Sequence, residues 1–585
     1  MTRTRFAPTA SIRFCGVLAL AATLASAAEA IAWPHYSALS PGAICPGDCN
    51  YDGVTSVDEL LVGVGLLLGG ENSGACLALY PTPFDTSLGV ADLVAAVATG
   101  LHGCPTARWV PGNCPPLPAG QDPATARCGA LLVPENRATG TRRALRLETV
   151  VLRATGPQRA PDPLVFLTGG PGSAALEGPY LASLTAAFAA PIQATRDIVI
   201  FNQRGTGTID PWYGPLDCPE VQPLHLRFAE RLSPAEEAAA ELDEVRGCLY
   251  SLTRRGIDLT AYTSVATARD IADLMAALDY ERYNIYGLSY GSRVALTALR
   301  DLPGDRIRSV VLDGAVPPQV SLVSGVTAAA VQAALERLFA DCAAQPACDA
   351  AYSDLAATTY ALLDRLNAEP LRFTAVGPEG PFDVVLTGDR VVRLLWFGLQ
   401  SNATIPLLPL AVASMARGDT SVAALAVGAL AAPEPYAIGL AHAVICNEET
   451  PFHTPAVLAA AEAGVHPALA RAMAADPLGS TCPLAGVGAT DPVENQAVAS
   501  AVPALVLAGD YDPSTPPAFG QLAAATLANG HYVELRGYGH VAVGQEVASG
   551  GGCAVQLIAA FLANPTRAPD RGCADALTAP RFIGG

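Results

Sequence analysis

The sequence predicts an α/β protein: a mostly parallel sheet with helices on both faces, interrupted by a helical insertion and preceded by a small all-α module. Three observations carry this. From about residue 125, the short apolar runs PLVFLTGG, DIVIFNQRG, YNIYGLSYG, RSVVLDG and PALVLAGD each read as a strand ending in a turn. Strands that are apolar on both sides belong to a parallel sheet covered by helices on each face. Between two of them, SVATARDIADLMAALDY sets Val265, Ala268, Ile271, Met275 and Leu278 at helical spacing. Finally, residues 321–485 break the strand series with alanine-rich sequence, as a helical cap over one end of a sheet would.

Composition narrows the classes. A chain of 585 residues is too long for one ordinary core, and 51% hydrophobic with 15% charged residues is globular. A formal charge of -19 argues against nucleic acid and against an anionic membrane surface as partners. All 35 basic residues are arginine, so a Ser-Lys dyad or a lysine Schiff base has no residue to use.

In chain order, residues 1–30 read as a signal peptide. Arg3, Arg5 and Arg13 precede an apolar run shorter than the about 20 residues of a membrane span, and Ala25 to Ala30 offer a small-residue cleavage site. A secreted location, extracellular or periplasmic, with no membrane span, follows. Setting Cys15 aside leaves an even number of cysteines, as an oxidising compartment would favour. Sequence-near candidates for pairing are Cys114 with Cys128, Cys218 with Cys248, Cys342 with Cys348, and Cys553 with Cys573. None has the C-x-x-C spacing of a zinc site.

Residues 40–106 hold a second pattern. In DCNYDGVTSVDE, Asp48, Asn50, Asp52, Ser56 and Glu59 fall at positions 1, 3, 5, 9 and 12 of an EF-hand loop, with Gly53 at 6. Oxygen ligands at that spacing, followed by an apolar helical run, fit Ca²⁺. A second copy places Asp85 and Asp92 at positions 5 and 12 but has Pro81 and Pro83 where ligands belong. The pair resembles a dockerin-type tandem repeat, which implies a cohesin-like or cell-surface partner. A Pro-rich linker around WVPGNCPPLPAG follows.

Residues 107–320 and 486–585 form the two parts of the sheet-bearing core. Gly287-Leu288-Ser289-Tyr290-Gly291 stands where a strand becomes a helix. Glycines on both sides of a serine there relieve a crowded, strained turn that exposes the hydroxyl at the sheet's end. A serine nucleophile needs a base, an acid that orients it, and donors for an oxyanion. His540, in GYGH after the last strand, is the candidate base. Asp512, in GDYDPSTPP after the strand before it, is the candidate acid, with Asp510 as runner-up. The amide of Tyr290 and one from the TGGPG loop, Gly170 before Gly169, are the candidate oxyanion donors.

Together GGPG, NQRGTG, GLSYG, GDYDPSTPP and GYGH resemble the proline iminopeptidase and tripeptidyl aminopeptidase branch of secreted α/β-hydrolases, over residues 110–575, with a TAP-like C-terminal region from about 485. The sequence departs at two places: Thr168 stands where the family usually has histidine, and Asn202 where it has aspartate. The resemblance implies an α/β-hydrolase fold and a serine aminopeptidase that needs no catalytic cofactor and acts on peptides with a free N-terminus. Such an enzyme needs a carboxylate for the substrate ammonium, and Glu448 or Glu449 in AHAVICNEET is the candidate. Two other readings stand beside it: a carboxylesterase with the same machinery, and a calcium-dependent docking protein with an inactive hydrolase domain.

Overall fold

A computed structural model describes residues 45–49, 55–68, 76, 79, 88–102, 107–138, 143–177, 180–188, 191–207, 216–221, 227–228, 232–320, 324–431, 436–473, 481–487, 490–546 and 552–584. The chain divides into two units, Met1–Ser40 and Pro41–Gly585. The expected signal peptide lies in the first and outside the described residues.

The strands are β1 (Arg108–Pro111), β2 (Arg127–Pro134), β3 (Ala144–Leu152), β4 (Leu164–Leu167), β5 (Ile198–Phe201), β6 (Tyr283–Leu288), β7 (Ile307–Asp313), β8 (Leu371–Gly377), β9 (Gly380–Leu386), β10 (Ala504–Gly509) and β11 (Gly530–Leu535). Nine of them form one sheet in the order β1-β2-β3-β5-β4-β6-β7-β10-β11. From β5 to β11 the pairs are parallel, and β1, β2 and β3 extend that edge antiparallel. Every residue of β4, β5, β6 and β10 is buried, as the apolar runs require.

Alternation assigns the two faces. Val165, Ile285, Val310 and Val506 pack with the helices Ser264–Ala277 and Tyr290–Asp301. Their neighbours Phe166, Tyr286, Val311, Leu505 and Leu507 pack on the other face with the helices Tyr180–Phe188 and Cys553–Ala563. Each such side chain removed from water stabilises by about 1.5–3 kcal/mol.

Two segments differ from the sequence-based expectation. Part of the anticipated linker, Trp109–Pro111, is the edge strand β1, paired with β2. Gly129 permits it, because a Cβ there would lie 2.4 Å from the Val110 carbonyl and 2.6 Å from the Trp109 ring. Among the described residues the insertion between β7 and β10 is mainly helical, and it carries the antiparallel hairpin β8–β9, closed through Pro378 and Glu379. Its own core joins the hairpin to the helices Ser324–Ala343, Leu355–Ala368 and Gly388–Leu399.

All four sequence-near cysteine pairs are disulfides, and Cys49–Cys76 and Cys446–Cys482 join them. In the N-terminal module the helices Val57–Leu67 and Val90–His102 pack over a small cluster of Cys76, Leu79 and Ala96. Ser56 caps the first helix, and its amide and hydroxyl donate to Glu59 Oε2 at 2.8 and 2.9 Å. Asp48 is buried. Asn50, Asp52 and Asp85 lie outside the described residues. Asp92 accepts from the Gly89 amide at 2.9 Å, capping the second helix. Among the described residues no group of three or more His, Cys, Asp or Glu is placed to hold a metal ion, and no helix is long and apolar enough to cross a membrane.

Candidate active site

Ser289 stands between β6 and the helix Tyr290–Asp301 at φ 52°, ψ -125°. A non-glycine residue in the left-handed region costs on the order of 1–3 kcal/mol and persists where its surroundings fix it. The flanking glycines do the fixing. A Cβ on Gly287 would lie 2.3 Å from the Gly291 carbonyl oxygen, and one on Gly291 would lie 2.4 Å from that of Leu167. No side chain fits either position, so the turn closes only as G-x-S-x-G. The Ser289 amide donates to the Asp313 carbonyl at 2.9 Å, tying the turn to β7.

Beyond β11, His540 Nδ1 lies 2.8 Å from Asp512 Oδ2, in the loop after β10. With Nδ1–H committed to the carboxylate, Nε2 is left as the basic nitrogen. Thr515 donates its hydroxyl to Asp512 Oδ2 at 2.6 Å, and the amides of Ser514 and Thr515 donate to Oδ1, both at 2.8 Å. Burial alone would raise the Asp512 carboxyl, but the charge and hydrogen bond of His540, with those Thr515 bonds, hold it below the usual carboxylate range. Burial disfavours the imidazolium of His540, yet the Asp512 charge and hydrogen bond and the Asp313 charge outweigh it and leave the ring above its ordinary pKa.

Asp510, two residues earlier, is engaged elsewhere. Its carboxylate takes Arg536 at 2.6 Å and the Gly537 amide at 2.7 Å. Arg536 also pairs with Asp341 of the cap, which accepts from the Tyr511 hydroxyl as well. Asp510 ties core to cap, while Asp512 faces the histidine.

The loop after β4 lies against the serine. A Cβ on Gly169 would be 2.9 Å from Ser289 Cβ, and Gly170 and Gly172 have φ of 111° and 126°. The Gly170–Pro171 bond is cis. The two family departures brace this loop. Thr168 donates to the Ser173 carbonyl at 2.8 Å, and Asn202 Oδ1 accepts the amides of Ala175 and Leu176 at 2.9 and 3.0 Å.

Ser289, Tyr290, Gly170 and His540 line one cavity of about 670 Å³. The cap contributes Trp396, Phe397, Gln400 and Tyr436, which sequence reasoning did not single out. They carry no local motif: a Trp-Phe pair at the end of a helix reads as packing until the topology folds it over the serine.

Glu448 and Glu449 do not line that cavity. Both are buried on Arg293 of the nucleophile's helix, at 3.1 and 2.6 Å. Glu448 also accepts the hydroxyl of Ser264 at 2.7 Å, and that hydroxyl lies 3.0 Å from the Tyr290 hydroxyl. Two carboxylates thus share one guanidinium directly behind the residue that follows Ser289.

The profile of the alpha/beta hydrolase fold family matches residues 162–547. The tripeptidyl aminopeptidase of Streptomyces coelicolor is 28% identical over 205 residues, covering 34% of this chain and 36% of that protein. The serine protease Hip1 of Mycobacterium tuberculosis is 28% identical over 240 residues, covering 39% of this chain and 43% of that protein. The chain therefore spans 36% to 43% of the length of these curated relatives. Among solved structures, an esterase from Thermogutta terrifontis aligns at 14% identity over 75% of this chain and 99% of that one, with a TM-score of 0.32.

Proposed function

The chain belongs to the alpha/beta hydrolase fold family, and on that premise we propose that it is a secreted serine exopeptidase releasing short N-terminal peptides, or proline, through an acyl-enzyme on Ser289. The observation that carries this is the meeting of Ser289 and the Asp512-oriented His540 in one cavity beneath the cap.

Ser289 Oγ attacks the scissile carbonyl while His540 Nε2 takes its proton. Asp512 holds the ring and stabilises the imidazolium, and the amides of Tyr290 and Gly170 receive the oxyanion. The Tyr290 amide opens a helix, so its partial positive charge adds to the hydrogen bond. His540 then protonates the departing amine, and water, activated by the same ring, clears the ester. Each oxyanion donor supplies about 2.7–4 kcal/mol of transition-state stabilisation in such sites.

Peptides rather than simple esters are favoured as substrates by the relatives named as peptidases. Glu448 and Glu449, buried on Arg293 behind Tyr290, act on a substrate ammonium at a distance and not by contact. The disulfides support an oxidising location.

The test compares free-amine Ala-Ala-Pro- and Pro-p-nitroanilides with their N-blocked forms and with a p-nitrophenyl ester, each alongside Ser289→Ala. Turnover of the free amines with a loss of about 10⁶-fold in kcat for the variant is expected. Turnover of the ester alone would replace the exopeptidase with a carboxylesterase.

A further inference from the structure

One buried carboxylate beside the site has no part in the mechanism above. Asp313 ends β7, fully buried, and among the described residues no arginine pairs with it. It accepts the amides of Ala542 at 2.7 Å and Val543 at 3.0 Å, and the Tyr286 hydroxyl at 2.7 Å. A carboxylate taken from water without a cation is costly unless hydrogen bonds hold it. Desolvation pushes its carboxyl up, against those three donors.

What the donors belong to gives the site its meaning. Ala542 and Val543 open the short helix Ala542–Glu546, immediately beyond His540. Between ring and helix stands Val541 at φ 62°, a conformation that a β-branched residue avoids. On the near side, His540 donates its amide to the Gln400 carbonyl at 3.0 Å and its ring to Asp512 at 2.8 Å. On the far side Asp313 holds the Ala542 and Val543 amides, and Gln545 Nε2 donates to the His540 carbonyl at 2.6 Å. The strained residue is therefore clamped from both ends, as such strain requires.

We propose that Asp313 is a positioning residue for the hydrolysis: it clamps the segment after His540 so that the ring stays on Asp512, and it places a second negative charge behind the imidazolium formed during attack. The inference rests on His540 being the general base. Tyr286 from β6 and Asp512 from the β10 loop face the pair. Glu546, at the far end of the short helix, is occupied by the Tyr538 hydroxyl and the amides of Ala554 and Val555. Asp313 and Asp512 thus act on the ring in the same direction.

The experiment is the pH profile of kcat/KM for Asp313→Asn on a peptide anilide and on an ester. The amide keeps the size but removes the charge and turns an N–H₂ toward backbone donors. For both substrates the plateau should fall about 10- to 100-fold, and the acid limb should move to lower pH by about 0.5–1 unit. A fall in plateau with the limb unmoved would leave Asp313 a structural group only and overturn the assignment, as would an unchanged profile. Should Asp313→Asn not fold, the same profile is taken with Val541→Gly added, since glycine removes the strain that the carboxylate holds down. Failure of that double variant to fold would also overturn the proposal, in favour of a purely structural carboxylate. Wild-type protein and Ser289→Ala are run in parallel, so an error in the hydrolase reading appears as inactive wild type, distinct from an unshifted limb.

Discussion

The turn that carries Ser289 and the loop that carries His540 both leave the carboxyl ends of parallel strands, β6 and β11, yet different physics holds them. Ser289 is fixed chiefly by steric closure within Gly287 to Gly291, with the β4 backbone filling the remaining space. His540 is fixed by hydrogen bonds from several elements: Asp512 on its ring, Gln400 on its amide, Asp313 on the Ala542 amide just beyond it, and Gln545 of the next helix, donating to the His540 carbonyl at 2.6 Å. Asp313 ends a core strand, Asp512 lies in the loop after another, Gln400 belongs to the cap and Gln545 to the helix that follows. A nucleophile can be built by a local backbone shape because it needs only exposure. A general base also needs a defined tautomer and direction, which only partners on other elements supply.

That contrast is broken most sharply at Asp512. Asp512→Asn should keep the fold, since Oδ1 can still accept the Ser514 and Thr515 amides, and should lower kcat about 10⁴-fold by losing the tautomer. Asp510→Asn should behave in the opposite way. It loosens the tie to Arg536 and Gly537 and should cost about 1–3 kcal/mol in urea unfolding with a far smaller change in kcat. Equal kcat losses at both positions would show that the two carboxylates are not separate in role.

Gly291→Ala tests the other half. Its Cβ would meet the backbone oxygens of Leu167 at 2.4 Å and Thr168 at 2.7 Å, neither of which can rotate away. The expected cost is about 3 kcal/mol, read as a lower urea midpoint with activity lost in step. An active, equally stable variant would mean that the serine turn does not depend on steric closure.

The same contrast explains what could be read before the fold was known. The parallel strands were legible because β4, β5, β6 and β10 are apolar throughout. The serine was legible because its constraint is written in five consecutive residues, and Asp512 and His540 because each follows a strand in a glycine- or proline-marked turn. The hairpin β8–β9 was not, although PFDVVL after a Pro-Glu turn carries strand residues, because the alanine-rich surroundings suggested only helix. Trp396, Gln400 and Asp313 were silent for a deeper reason. Gln400 and Asp313 hold the His540 segment, more than a hundred residues away, and nothing local distinguishes a cavity wall such as Trp396 from a core. Glu448 and Glu449 carry the charge that an ammonium site needs, and only the structure places Arg293 on both.

The smallest effect is expected where the cap touches the histidine loop. Asn402 Oδ1 accepts the Gly539 amide at 2.9 Å, and the backbone amide of Asn402 donates to Gln545 Oε1 at 2.8 Å. Gln545 Nε2 in turn donates to the Gln400 carbonyl at 2.9 Å. Asn402→Ala removes one acceptor and leaves the Gly539 amide without it, a cost of about 1–2 kcal/mol. The loop keeps Asp512 and Asp313, so kcat/KM should fall only about 3- to 10-fold, through kcat more than KM. Because Asn402 carries no charge, the acid limb of the pH profile should stay in place, unlike that of Asp313→Asn. A loss approaching that of Asp512→Asn would make the cap a full partner in assembling the site, and cap movement on substrate binding would then directly set the position of the base. No loss at all would leave His540 held by the core alone, with the cap serving only to wall the cavity.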